Sequence, residues 1–337
     1  MALAREGKKS LAMLARASLR RFHTRTRRPF STLQAHISAN GDTEDAGPGE
    51  TITLYQYAVC PYCCATKAHL QNLGVSFNTI EVNPLTKEEL KPVRESSGKP
   101  LKRVPVAVFV NTQGGLQDED ESGGAVLGGH EDGSSEVIAK LIRSKRGQSW
   151  QAVGQGDFGG ARHDWAYNRL VKLFPVNLYN SYGNALDAFN YVSHHRSFST
   201  VQTAAIKYLG ASIMLAVNNR LKRKYGIEDE AEELRAELQT WAQWLKENNA
   251  SSLAEMEEGR ATAGDEDLER KERAEGGSKA TDNFIGFHSG GENPDDLDVT
   301  VYGMLAAMRD MRPHEVFTAP VVGGWFTEME KRIGRVN

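Results

Sequence analysis

The chain has 337 residues, 39% hydrophobic and 25% charged, with a formal net charge of −3. That balance is globular, the length admits two ordinary domains, and a strongly basic nucleic-acid binder is excluded. Only three cysteines occur, all between residues 60 and 64, so no disulfide framework is available and a zinc site would need a second group of ligands elsewhere.

The first 35 residues hold nine Lys/Arg (Arg5, Lys8, Lys9, Arg16, Arg20, Arg21, Arg25, Arg27, Arg28) against one acid, Glu6. That segment is therefore +8 and the remainder −11. With Ser10, Ser18, Thr24, Thr26, Ser31 and Thr32 it is Arg-rich, hydroxyl-rich and acid-poor, the composition of an organelle transit peptide. "RRPFSTL" near Arg27 has the look of a cleavage region. A mitochondrion is the expected destination, with a plastid as the alternative, and a plain basic tail stays open. A nucleic-acid arm fits poorly, because an acidic folded part repels phosphates. Ser38 to Gly49 reads as a linker, which makes 1–49 leader and linker.

A compact α/β pattern begins at Glu50. "TITLYQY" is a strand by its β-branched and aromatic content. "CPYCCATKAHLQNLG" is a helix, with Pro61 in its first turn and Gly74 at its stop. "VSFNTIEV" is a second strand, parallel to the first through a right-handed crossover. "NPLTKEELKPV" is a short helix and "RVPVAVFV", from Arg103 to Val110, a third strand. A Gly/Asp/Glu loop follows, then a short strand near Val126 and a helix from about Ser135 to Arg146. The unit spans 50–147, with 148–162 as linker.

The clustered cysteines sit where the first strand hands over to the first helix. A thiol is nucleophilic as thiolate, and free amides with the positive dipole end at a helix N-terminus stabilise that anion. Cys60 lies at that terminus. Cys63, one turn inside on the same side, is placed to close a disulfide with it. Cys64 is about 100° further round and reads as a small buried residue, with a redox role as the other reading. Tyr57 either donates its hydroxyl to the Cys60 thiolate or packs within the strand. The βαβ then ββα order resembles the thioredoxin-like fold, and Cys60-Pro61-Tyr62-Cys63 resembles the glutaredoxin active-site motif. Val104-Pro105 falls at that fold's cis-proline. A cis bond there turns the Val104 backbone outward to pair with an extended peptide such as glutathione; a trans proline at a strand start is the alternative.

From about His163 the chain is helical. In "AEELRAELQTWAQWLKENN", Leu234, Leu238, Trp241 and Leu245 share one face, which reads as core. The longest apolar run of the chain, Gly210 to Val217, is about half the ~18 residues of a membrane span, so no transmembrane helix is expected. Arg220, Lys222, Arg223 and Lys224 end a helix where cations suit its dipole. Residues 249–282 read as a charged, disordered insert. Asp295 and Asp298 form an N-capping pair before "LDVTVYGML". His163, His194, His195 and His288 lack metal-ligand spacing, so no metal site is expected.

A thioredoxin-like domain followed by a helical domain (163–337) resembles the glutathione S-transferase superfamily. "LYQYAVCPYC", "EVNP", "FPVNLYNSY", "AIKYLGASIML", "NNRLKRKYG" and "NPDDLDVTVYGML" are similar to the prostaglandin E synthase type 2 family within it. The resemblance implies a small apolar lipid substrate and glutathione as cofactor, with Cys60 and Cys63 (helped by Tyr57) isomerising the endoperoxide of prostaglandin H2 to prostaglandin E2. It also implies glutathione contacts at Val104, Pro105, Ser134 and Ser135, with Ser134 standing where the family carries an acid and Asp132 or Glu136 as substitutes. Haem as a second ligand, peripheral membrane association and a homodimer are left open by the same resemblance. A glutaredoxin-like thiol–disulfide oxidoreductase and a non-catalytic glutathione, haem or iron–sulfur binding protein are the alternatives.

Overall fold

The computed structural model describes residues 50–98, 101–111, 124–128, 160–194, 198–251, 253–254, 284–309 and 320–336. The leader, Ser134 and Ser135, the helix expected at about 135–146, and residues 252 and 255–282 of the charged insert lie outside the described residues.

Strand β1 (Glu50–Gln56) leads through helix α1 (Pro61–Asn72) to β2 (Phe77–Glu81), then α2 (Leu90–Ser97), β3 (Val106–Asn111) and β4 (Gly124–Gly128). The sheet order is β2-β1-β3-β4. β1 runs parallel to β2, with Tyr55 opposite Ile80, and antiparallel to β3, with Tyr55 opposite Val106. This mixed sheet with a crossover helix is the thioredoxin-like arrangement. Side chains alternate across it. Tyr55, Ile80, Val106 and Val108 pack on one face with Cys63, Leu90 and Val93, while Ile52, Leu54 and Ala107 pack on the other with Leu70 and Val75.

Gly74 ends the turn after α1 with φ +61, a backbone state favouring glycine. α2 begins later than its sequence suggests. The Asn83 side chain accepts hydrogen bonds from Leu85 N (3.0 Å) and Thr86 N (3.3 Å), which turns the chain before a helix can start. Pro105 has no N–H to offer a ladder, and β3 opens one residue after it, at Val106. The Val104–Pro105 peptide bond is cis.

The second half is helical. One rod, α3, runs through Ala161–Trp165, a π-helical turn Ala166–Leu170 and Val171–Leu178. It is followed by α4 (Tyr182–Ala188), a 3-10 turn Asn190–His194, α5 (Thr200–Tyr225) and α6 (Glu230–Asn248), then α7 (Asp296–Ala306) and α8 (Pro320–Ile333). Ser199 and Gln202 cap α5 reciprocally, and Gly226 ends it at φ +68. Asp229 caps α6 by accepting from Ala231 N and Glu232 N. Leu234, Leu238, Trp241 and Leu245 are all buried on one face of α6. α7 carries a reciprocal box between Asp295 and Asp298.

Two features depart from the sequence reading. The segment expected to be disordered from residue 249 begins with packed residues. Asn249 is buried and its Nδ2 donates to Leu245 O and Phe287 O, both at 2.8 Å, while Leu253 lies against the helical core. Its amide can close that gap between α6 and the returning chain, which composition alone does not show. Secondly, among the described residues α5 is the one helix long and apolar enough to cross a membrane by length and composition. No continuous apolar run signals this, because small and polar residues interrupt it. Only 17% of its apolar window is buried, and Val201, Tyr208, Leu209 and Ile213 are exposed.

The two halves meet along α1 and α7. Cys64, Ala65 and Ala68 of α1 belong to the helical core. Gly303 of α7 lies so close to α1 that a Cβ there would stand 2.4 Å from Ala65 Cα. His69 Nε2 and Thr300 Oγ1 join the helices at 2.9 Å. The helix bearing the cysteines is thus packed against the helical half as well as the sheet.

Candidate functional site

Cys60 is the N-cap of α1, with Pro61 following at the first helical position. No side chain caps this end, so its amides remain free to face the thiol. The turn into the helix is closed by Cys60 N donating to Tyr57 O (3.0 Å) and Cys64 N donating to Cys60 O (2.9 Å). Cys60 is half-buried; Cys63 and Cys64 are fully buried.

The thiols are electrostatically unequal. The Cys63 thiol donates to Cys60, and that bond lowers the Cys60 pKa from its ordinary value against the cost of burial. The amides of Cys63 and Tyr62 and the charge of Lys67 act in the same direction. Burial first, then the neighbouring Cys60, push Cys63 well up. Cys64 donates its thiol to Ala58 O at 3.2 Å, and burial pushes it up to about 11. The arrangement can therefore present one thiolate, at Cys60, with a protonated partner beside it.

Tyr57 packs beside Cys60 on the sheet face. Its link to Cys60 is through the backbone, where the Tyr57 carbonyl accepts from Cys60 N. Burial raises that phenol further, with Cys60 adding to the effect. Val104 is buried and lies with Cys60 and Cys63 in one cluster at the mouth of β3. The structure thus brings Cys60, Cys63, Tyr57, Val104 and Pro105 to one end of the sheet, while Ser134 and Ser135 lie outside the described residues.

Several neighbours escape a reading of the motif alone. Tyr62 stacks on Tyr167 of α3 with ring centroids 6.2 Å apart, and burial raises its phenol to about 12. Tyr179 and Tyr191 come from the helical half; burial raises both phenols, with the charge of Cys60 adding at the first and Glu81, to which it is hydrogen-bonded, at the second. Glu81, at the end of β2, is buried and accepts from Ala58 N at 3.0 Å and from Gln56 Nε2 at 3.4 Å. Burial pushes its carboxyl up to about 8. Lys67 could have been found, since it follows Cys63 and Cys64 at helical spacing; the tyrosines could not, being set by the packing of distant segments.

His69 is bonded to Thr300, and His288 to Asp295 through Nδ1 and to Arg162 through Nε2 (both 2.6 Å). With both imidazoles engaged internally, haem has no support at either. Among the described residues no group of His, Cys, Asp and Glu could hold a metal ion.

Residues 52–113 match the glutaredoxin family. The N-terminal domain is glutaredoxin-like. Prostaglandin E synthase 2 of Danio rerio is 23% identical over 336 aligned residues, covering 91% of this chain and 78% of that protein. The Mus musculus protein of the same name is 25% identical over 214 residues, 53% of this chain and 52% of its own length. Glutaredoxin 1 of Rickettsia prowazekii is 46% identical over 50 residues, 14% of this chain and 53% of that one. The chain thus spans most of the first relative and about half of the others. Among solved structures, Ure2p in complex with glutathione overlaps 91% of this chain and 98% of its own at TM-score 0.47 and 14% identity. Glutathione S-transferase III in its apo form overlaps 85% and 97% at TM-score 0.43 and 12% identity. The chain is thus similar to prostaglandin E synthase 2 along most of its length and to glutaredoxins around its cysteines.

Proposed function

We propose that this protein is a glutathione-binding thiol enzyme that isomerises the endoperoxide of prostaglandin H2 to prostaglandin E2. The observation that carries the reading is the unequal thiol pair. Cys60 is half-buried and lowered while Cys63 is sealed and raised, and the site lies against helical-domain tyrosines. A single available thiolate in a largely apolar setting suits an isomerisation, which needs no net electron donor. The likeness to prostaglandin E synthase 2 over 91% of the chain supports the substrate class.

The step balances as follows. Cys60 Sγ attacks one endoperoxide oxygen, forming an S–O bond as the O–O bond breaks. The released alkoxide takes a proton and becomes the hydroxyl. Loss of the proton on the carbon bearing the sulfur-linked oxygen forms the ketone and expels Cys60 as thiolate. Glutathione would lie along the Val104 backbone, beside the thiol.

The Cys63 thiol bonded to Cys60 favours one second reading, a glutathione-dependent thiol–disulfide oxidoreductase with Cys63 as resolving thiol. Incubating the chain separately with prostaglandin H2 and with a glutathionylated peptide tests the choice. Prostaglandin E2 formation with slow peptide reduction is expected; fast peptide reduction without prostaglandin turnover overturns the isomerase reading. The basic leader supports import into a mitochondrion, with a plastid as the alternative. A reporter fused to residues 1–49 should leave the cytosol, and a reporter that stays there contradicts it.

A further inference from the structure

Lys67 is 2% exposed, and its Nζ forms no hydrogen bond with any described residue. Burying an ammonium without a hydrogen-bond partner carries a large desolvation cost, which a nearby anion offsets. Its place in α1 is specific. It follows Cys64 by three residues, Cys63 by four and Cys60 by seven, so all three thiols share its side of the helix. The turn above it is pinned at Ala58, whose amide donates to Glu81 Oε1 (3.0 Å) and whose carbonyl accepts the Cys64 thiol (3.2 Å).

We propose that Lys67 is a positioning residue for the thiol chemistry: its sealed, unpaired ammonium stabilises the Cys60 thiolate, and Glu81 is the neighbouring group able to cancel that charge. This rests on the reading of Cys60 as the nucleophile. The titratable groups around the pair are Cys60, Cys63 and Cys64 on α1, Glu81 on β2, Tyr57 in the turn, and Tyr179 and Tyr191 from the helical half. Arg309, just past α7, also acts on Cys64 but is engaged with Glu330 at 2.8 Å. The Lys67 charge favours the anionic form of all three: it adds to the Cys63 hydrogen bond that lowers Cys60, and it opposes the burial that raises Cys64 and Glu81 overall. Burial nevertheless pushes the Glu81 carboxyl up to about 8, so at neutral pH it is mostly protonated and offsets little of the Lys67 charge. Above that pH the carboxylate forms and offsets it.

The test is the rate of Cys60 alkylation by iodoacetamide against pH in the full chain, with the modified residue identified by mass spectrometry. Lys67→Met should move the midpoint upward and slow alkylation at about pH 6 by roughly three- to tenfold, the equivalent of about half to one pKa unit. Lys67→Arg, which keeps the charge, should restore the parent profile. Glu81→Gln should leave the acid limb unchanged and remove the inflection near pH 8. Removing an unpaired buried charge should not lower the melting temperature, and Lys67→Gln gives the same reading should the Met variant not fold. A folded Lys67→Met or Lys67→Gln chain whose profile superimposes on the parent overturns the proposal. A parent chain with no fast-reacting Cys60 near about pH 6 instead overturns the nucleophile reading, and this inference with it.

Discussion

Glu81 keeps its proton at neutral pH because burial pushes its carboxyl up to about 8 from an ordinary 4.5. Stability follows from where the unfolded and folded chains part with that proton. Below the unfolded value both hold it, and there is no effect. Between 4.5 and about 8 the unfolded chain releases the proton while the folded chain retains it, so each step up in pH favours unfolding. Above about 8 both are ionised and the penalty levels off, at on the order of a few kcal/mol. Glu81→Gln keeps an oxygen for the Ala58 amide and loses the titration. Its melting temperature relative to the parent should therefore rise from pH 5 to pH 8.5. A gap that stays constant across that range contradicts the account. The cysteines show what was legible at this scale. Cys60 at a helix start and Cys63 one turn inside followed from spacing, as did burial of Cys64. The state of Tyr57 was not legible, because burial of that ring, which raises its phenol, is a property of packing rather than of sequence distance.

At the scale of elements, the crossing of α1 and α7 fixes where the thiols stand. Helices approach this closely only where one side offers no Cβ. Gly303→Ala would place a carbon 2.4 Å from Ala65 Cα and 2.8 Å from Cys64 O, against backbone that cannot swing aside. Overpacking of this kind costs roughly 1–3 kcal/mol, so the melting temperature should fall by several degrees and Cys60 reactivity should change with it. An alanine variant as stable and reactive as the parent would show that the helices separate freely. The cap of α7 is legible in Asp295 and Asp298. Its partners are not: Asp298 also accepts from His288 N at 3.0 Å and Trp325 Nε1 at 2.8 Å, contacts set by a chain returning from elsewhere. The same holds at the end of α6. Deleting residues 256–279 should leave the melting temperature nearly unchanged, since the segment is charged and low in apolar residues. Extending the deletion back to Asn249 should lower it, because that amide joins Leu245 to Phe287. Equal melting temperatures for both deletions would contradict the assigned role of Asn249.

Across the whole molecule, two halves with different periodicities meet on one short helix. Strand alternation and the cysteine spacing made the first half readable, and the apolar face of α6 made the second readable as helix. The way the halves dock is not written in either period. It depends on Gly303 against Ala65, on the Tyr62–Tyr167 stack and on the approach of Tyr191 to Glu81. That docking separates this site from a free-standing glutaredoxin motif, and the proposed activity depends on it. The most direct test is prostaglandin E2 formation from prostaglandin H2 by the parent chain, Cys60→Ser and Cys63→Ser, assayed side by side with glutathione. Cys60→Ser should lose turnover by about a hundredfold or more, since the attacking thiolate is gone, while Cys63→Ser should keep most of it. Equal activity in Cys60→Ser and the parent, or equal loss in both variants, would contradict a single-thiolate isomerase built on Cys60.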